Sequence, residues 1–311
     1  MDALHVPVLA REVVGLLEPG RGGTFVDVTL GLGGHAEQLL EARPDVRLVG
    51  VDRDPQALEL AGQRLARFGE RVRLAQGDFR HLAEILGDLG VGPLDGILAD
   101  LGVSSLQLDR GERGFSIRRD GPLDMRMGPS GPTAREIVNR YPEAALEKIF
   151  RDYGEERQAR AIARAIEKAR REGPIETTGE LAAIVHRVQR RKAPPRHGEP
   201  RIDPATRVFQ ALRIEVNQEL SALPEMLDQA VNLLAADGRL VVISYHSLED
   251  RIVKNTFRDL ARGEVDEITG RPRSETQLIE VLTKHPIRPA PEEVEANPRS
   301  RSARLRAARR L

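Results

Sequence analysis

The segment from Thr24 to Asp54 restricts the fold more than any other. A strand-like run, Phe25-Val26-Asp27-Val28, enters the loop Gly31-Leu32-Gly33-Gly34-His35, and a second strand-like run ends in Val51-Asp52. Glycines let backbone N–H groups approach a bound ligand, and an acidic residue about 20 positions further on can hold two ribose hydroxyls. The layout describes a βαβ unit carrying a nucleotide-type site. It is not the G-x-G-x-x-G fingerprint of a dinucleotide fold, because Ala36 stands where the third glycine belongs. A cofactor without a pyrophosphate fits better, and S-adenosylmethionine is the commonest such nucleoside. A plain tight turn is the competing explanation for the glycines alone.

Further along, apolar runs at Arg47 to Asp52, Val72 to Ala75 and Asp95 to Asp100 alternate with helical patterns, as parallel βαβ units do. Leu58, Ala61 and Leu65 mark one intervening helix, and Leu82, Ile85, Leu86 and Leu89 another. The next strand, Arg239 to Ser244, comes much later than one crossover requires. The intervening stretch reads as an inserted helical domain. Thr133-Ala134-Arg135-Glu136 and Thr177-Thr178-Gly179-Glu180 are capping boxes, and Ala159, Ile162, Ala163 and Ile166 share one helical face. The expected division is a sheet domain of residues 1–108 and 204–311 around a helical insert of residues 109–203. A helix capped by Asp203, with Pro204 at its first position and Val208, Phe209, Leu212, Val216 and Leu220 on its buried side, is assigned to the sheet domain beside the strand at Arg239. After that strand, Ser247 to Ala261 is patterned as a helix and Gln277 to Thr283 as a strand. Arg301 to Arg309 reads as an edge strand whose arginines form a charged, solvated face. Gln189 to Pro200 has neither period and reads as a loop.

Composition closes off several chemistries. The 311 residues contain no cysteine, which removes disulfides, thiolate metal sites and any Cys nucleophile. No metal-ligand spacing of the usual kinds is visible. Met1 to Leu9 lacks a signal-like pattern and the longest aliphatic run, Leu240 to Ile243, has a strand's length, so a cytoplasmic protein without a membrane partner is expected. Net charge is zero, but basic residues cluster at Arg187, Arg190, Arg191, Lys192, Arg196 and Arg201 and again from Arg299 to Arg310. Only five of the 48 basic side chains are Lys; phosphate recognition and a general preference for Arg explain that count equally well.

In a doubly wound sheet, ligands bind beyond the carboxyl ends of the central strands. Four sets of residues fall there: Gly31 to His35, Asp52, Gly77-Asp78-Phe79, and Asp100 to Ser104. Each has a dull alternative, since Asp52 and Asp78 can cap helices and Phe79 can be core. Their coincidence at four successive strand ends favours one cofactor.

These residues also carry a family resemblance. Gly33-Gly34-His35, the segment Val51 to Ala57, Asp100 to Gln107, Arg113-Gly114-Phe115-Ser116, Asp120 to Met127, Tyr153 to Arg157, Ala205 to Ala211, Ser247 to Lys254 and Asn297 to Ser302 closely resemble the bacterial RsmH (MraW) methyltransferases, in order and over nearly the whole chain. The resemblance implies a Rossmann-like class I sheet dependent on S-adenosylmethionine, with an inserted helical domain for substrate. It also implies methylation of the exocyclic N4 of a cytidine in the decoding region of 16S ribosomal RNA, within the small subunit. By resemblance, Gly33, Gly34 and His35 surround the methionine portion, Asp52 takes the ribose, Phe79 lies at the adenine, and Asp100 and Gln107 complete the pocket. A carboxylate suits a diol and an aromatic face suits a purine. For His35, a helix-start residue packing on its own loop is an equal reading.

Methyl transfer needs the amine aimed at the activated methyl and relieved of a proton. Amino-methyltransferases usually offer Asp, Asn or Ser followed by Pro-Pro-aromatic after the fourth strand, whereas here Asp100 is followed by Leu101-Gly102-Val103. Asp100 or the Leu101 carbonyl is the candidate acceptor, with Phe115, Tyr245 or His246 supplying the missing contacts. The candidate RNA contacts are Phe115, Arg126 and Arg157, with Arg190, Arg191 and Lys192 in the loop. A homodimer through the insert is compatible with the pattern. Two other functions fit the fold: an RNA-binding or assembly factor without turnover, and a small-molecule N-methyltransferase, for which the insert is superfluous. A dehydrogenase lacks its third glycine, and covalent C5 methylation lacks its cysteine.

Overall fold

The computed structural model describes residues 7–189, 203–264, 271 and 273–311. The chain divides into two compact units, one formed by Met1–Gly102 with Leu220–Leu311 and the other by Val103–Glu219.

The first unit is built on a seven-stranded sheet. Its strands are β1 (Gly23–Asp27), β2 (Val46–Asp52), β3 (Val72–Gln76), β4 (Leu94–Asp100), β5 (Leu234–Ser244), β6 (Ile279–Val281) and β7 (Arg304–Arg310), in the order β3-β2-β1-β4-β5-β7-β6. β1 to β5 run parallel, and β7 is antiparallel to both of its neighbours. This is the Rossmann-like methyltransferase topology expected from the sequence. The central strands β1, β2 and β4 are mostly apolar because both sheet faces are covered. Successive side chains point to opposite faces. Phe25, Leu48, Leu98 and Val241 therefore pack with Val13, Leu39 and Leu65, from the helices Ala10–Leu17, Gly34–Ala42 and Pro55–Leu65. Val26, Val49, Ile97 and Leu240 pack on the other side with Leu86, Met226 and Phe257, from Leu82–Asp88, Glu219–Leu233 and Ser247–Arg262. The strand order reverses between β1 and β4, which opens a crevice at their carboxyl ends.

The last strand departs from expectation. β7 is not an edge: it pairs with β5 from Arg239↔Arg309 to Ser244↔Arg304 and with β6 on its other side. Its arginines are not simply a solvated face either. Arg306 is 7% exposed and donates to Asp250 from Nε at 2.7 Å, so Asp250 compensates a cation taken out of water. Leu305, Ala307 and Ala308 are buried. An alternation of Arg with small residues therefore marks an interior strand here, once a carboxylate is supplied from the Ser247–Arg262 helix.

The second unit is helical and wider than the expected 109–203. Its core joins Ile137, Phe150, Ile162, Leu181 and Val185 to Val208, Phe209, Leu212 and Val216. The helix Thr206–Asn217 thus belongs to this unit and not beside β5. Gln218 in a left-handed conformation (φ 52°) ends it, and Glu219–Leu233 begins a new helix that returns the chain to the sheet unit. A helical period that continues through Gln218 concealed this break. Asp203 does not cap the helix itself, although its Oδ1 accepts from the Ala205 N–H at 2.8 Å just before it. Both capping boxes form: Thr133 accepts from the Glu136 N–H, and Glu180 accepts from the Thr177 N–H. No helix among the described residues is long and apolar enough to cross a membrane.

Candidate functional site

The crevice of the sheet unit is held open by its own backbone chemistry. After β1 the chain turns through Gly31 (φ 52°) and Gly33 (φ 74°), and the helix Gly34–Ala42 starts at once. A Cβ at Gly33 would lie 3.3 Å from Leu65 Cδ1 and 3.4 Å from Ala61 Cβ, so this turn is seated tightly on the Pro55–Leu65 helix. Gly33→Ala is expected to cost about 1–2 kcal/mol, the usual penalty for a side chain in the left-handed region. Urea denaturation measures that loss, and an unchanged midpoint would show that the turn relaxes freely.

Asp52, at the tip of β2, braces this turn. Its Oδ2 accepts from the Gly31 N–H at 2.8 Å and its Oδ1 from the Asp54 N–H at 2.9 Å. Burial raises its pKa despite these bonds. The helix that follows is capped by Asp54, through the Gln56 N–H at 3.1 Å, and not by Asp52. A carboxylate has about four acceptor sites, so bracing the turn with the Gly31, Arg53 and Asp54 backbones still leaves acceptor capacity for a ribose hydroxyl. At the tip of β3, Asp78 caps the short turn Phe79–His81, and Phe79 lies partly buried against the sheet core.

Asp100, at the tip of β4, gathers the remaining polar groups. Its N–H donates to the Thr29 hydroxyl at 2.6 Å, and its Oδ1 accepts from the Tyr245 hydroxyl at 2.8 Å. Its Oδ2 lies 3.7 Å from His35 Nε2. Tyr245 follows β5 directly and sits beside Gly102, whose φ of 103° favours glycine; an added Cβ would be 3.4 Å from the ring. Burial, followed by the negative charge of Asp100, pushes the Tyr245 phenol well above its usual pKa, so it remains a donor. His35 is 6% exposed, and neither ring nitrogen has a hydrogen-bond partner. The structure therefore brings together Gly33, Gly34, His35, Asp52, Asp100 and Tyr245.

Sequence reasoning passed over Asp27 and Thr29. Asp27 is 1% exposed at the end of β1, and its Oδ1 accepts from the Thr29 N–H at 3.1 Å. Burial lifts its pKa to about 7; nearby His35 opposes the rise, while Asp100 and Asp52 add to it. Thr29 links Asp27 to the Asp100 backbone. The available signal was a carboxylate inside an apolar run at a strand tip.

Other candidates have structural duties. His246 caps the Ser247–Arg262 helix: its Nδ1 accepts from the Glu249 N–H at 3.4 Å, and its Nε2 lies 3.1 Å from Glu249 Oε1. In the helical unit, Gln107 closes a capping box with Ser104, and Phe115 is 7% exposed within the apolar core. Arg126 forks onto Asp124 at 2.7 and 2.8 Å. Arg157 is exposed and lines a groove. Arg190, Arg191, Lys192, Arg196 and Arg201 lie outside the described residues.

The whole chain is similar to known proteins. The MraW methylase family matches residues 2–311. A protein of Geobacter sulfurreducens named Ribosomal RNA small subunit methyltransferase H is 51% identical over 321 residues, covering 100% of both chains. Relatives of the same name are 50% identical in Geotalea uraniireducens (100% of this chain, 99% of the relative) and 49% identical in Granulibacter bethesdensis (97% and 90%).

Proposed function

Since the chain belongs to the MraW methylase family, we propose that it methylates the exocyclic N4 of a cytidine in the decoding region of 16S ribosomal RNA, in the small subunit and therefore in the cytoplasm. S-adenosylmethionine is the cofactor, and the residues fit it. Three carboxylates, Asp27, Asp52 and Asp100, converge on one crevice and repel one another. A nucleoside that carries a sulfonium and an ammonium group relieves that repulsion, and Asp52 and Phe79 suit its ribose and adenine. When bound, it supplies an electrophilic methyl group.

The arrangement of Asp100 carries the reading. The amine's lone pair is delocalised into the cytosine ring, so an acceptor for its N–H both orients it and restores its nucleophilicity. Asp100 offers Oδ2 for this, because Tyr245 holds Oδ1. Tyr245 thereby does what the missing Pro-Pro-aromatic segment does elsewhere, fixing the acceptor from β5 in place of the β4 loop. Tyr245→Phe is expected to lower kcat about tenfold by removing a hydrogen bond to a charged group. A variant with unchanged kcat would remove Tyr245 from the mechanism.

The decisive assay incubates the protein with labelled S-adenosylmethionine and unmethylated small subunits, then digests the RNA to nucleosides. Label in N4-methylcytidine supports the reading. Label in another nucleoside overturns the choice of N4, and no incorporation leaves an RNA-binding factor without turnover.

A further inference from the structure

The helical unit holds a groove of about 1100 Å³ between the helices Ala159–Arg170 and Thr178–Gln189. Five cations border it: Arg157, Arg160, Arg164, Lys168 and Arg187. Among its described lining residues, Glu172 is the only carboxylate. The first four recur every three or four residues, so they form one stripe along the groove. From Arg160 to Lys168 the stripe extends about 12 Å, at 1.5 Å per residue. A stripe of that length can meet more than one successive phosphate of an RNA strand.

These cations are concentrated on one face with few acids to meet them. Several other arginines of the unit meet carboxylates, as Arg126 does Asp124, Arg135 Glu176, Arg140 Glu136 and Arg170 Glu167, while Arg119 and Arg207 reach backbone carbonyls. Among the described residues, Arg157, Arg160 and Lys168 have no carboxylate partner, and Arg164 reaches only Glu143, at 3.9 Å. A solvated helix face at zero net charge has acids available to it, and this face uses almost none. The floor is small and apolar, with Ala161, Ala165 and Ala169 between the cations. Among its described lining residues there is no aromatic ring for bases to stack on. An unpaired basic stripe over a smooth floor suits a sugar-phosphate ridge and carries no means of reading sequence.

We infer that this groove docks the sugar-phosphate backbone of the RNA substrate, holding it independently of base identity. The inference rests on RNA being the substrate and names the surface of this chain that engages it.

The test uses the full-length protein carrying Arg160→Ala with Lys168→Ala, and separately Arg157→Ala with Arg164→Ala. Arg140→Ala, at a paired surface arginine, is the control. Thermal melting establishes that the helical unit is intact; the replaced residues are exposed. With a small-subunit RNA transcript as probe, each double variant is expected to bind about tenfold more weakly at 100 mM salt. The slope of log K against log salt should fall by about 2, one for each lost phosphate contact, and KM for RNA should rise in step. Wild-type affinity and slope in both double variants would overturn the inference. So would retained RNA affinity with loss of binding to poly-glutamate, which would assign the groove to an acidic protein. If the wild-type protein methylates the RNA and the double variants match its KM, the groove proposal alone fails. If the wild type transfers no methyl group to RNA, the functional reading fails with it.

Discussion

Asp100→Asn is expected to bind S-adenosylmethionine within a few-fold of wild type while losing about 10²- to 10⁴-fold in kcat, the usual contribution of a positioned acid–base group. Asn keeps an oxygen for the Tyr245 hydroxyl, and the backbone bond from the Asp100 N–H to Thr29 does not involve the side chain. The fold therefore has no reason to change. What disappears is the charge that turns the amine's lone pair toward the methyl group and then receives its proton. Single-turnover transfer from labelled cofactor measures the loss, and calorimetry measures binding. Full turnover with normal binding would exclude the carboxylate and leave the Leu101 carbonyl as the acceptor.

Asp27→Asn is expected to stabilise the cofactor-free protein at pH 8 by up to about 4 kcal/mol. The ordinary carboxyl pKa is 3.8, and in the folded chain burial lifts that of Asp27 to about 7. Below pH 3.8 the carboxyl is protonated in both states and nothing is lost. Between pH 3.8 and 7 the unfolded chain gives up this proton while the folded chain keeps it, so this group's contribution becomes steadily less favourable as pH rises. Above pH 7 the whole cost, about three pKa units at 1.36 kcal/mol each, weighs on the fold. Asn keeps the acceptor for the Thr29 N–H and has no charge to bury. Melting temperature should rise by roughly 10 °C at pH 8, with little change at pH 4. The same substitution is expected to weaken binding of a cationic nucleoside, a trade between stability and function. A variant that melts lower than wild type at pH 8 would show that Asp27 stabilises the apo fold through its charge.

The sheet was legible because its central strands are buried on both faces and so appear as mostly apolar runs closed by acidic or glycine-rich tips. Asp52 and Asp100 stood out at those tips for the same reason. Asp27 escaped notice because it interrupts an apolar run, where a pattern reading treats it as part of the strand. The tyrosine contact to Asp100 joins residues 145 positions apart, and only the β4–β5 pairing brings them together. Gln218 misled because nothing local announces a left-handed residue that is neither Gly nor Asn. β7 misled because its pairing with β6 and the Asp250 partner of Arg306, 56 residues away, cannot be read locally.

The pairing of Asp100 with Ile243 spans the entire helical unit. On a ribosome, the first four strands emerge well before β5, and the tip of β4 waits beside an unoccupied strand position while Val103–Glu219 is translated. β6 then appears ahead of β7, its sole described neighbour in the sheet. The nascent chain consequently exposes open backbone ladders for most of its synthesis. Exposed strand edges of this kind favour aggregation, so slower translation is expected to raise the aggregated fraction of a crevice completed from two distant stretches of message.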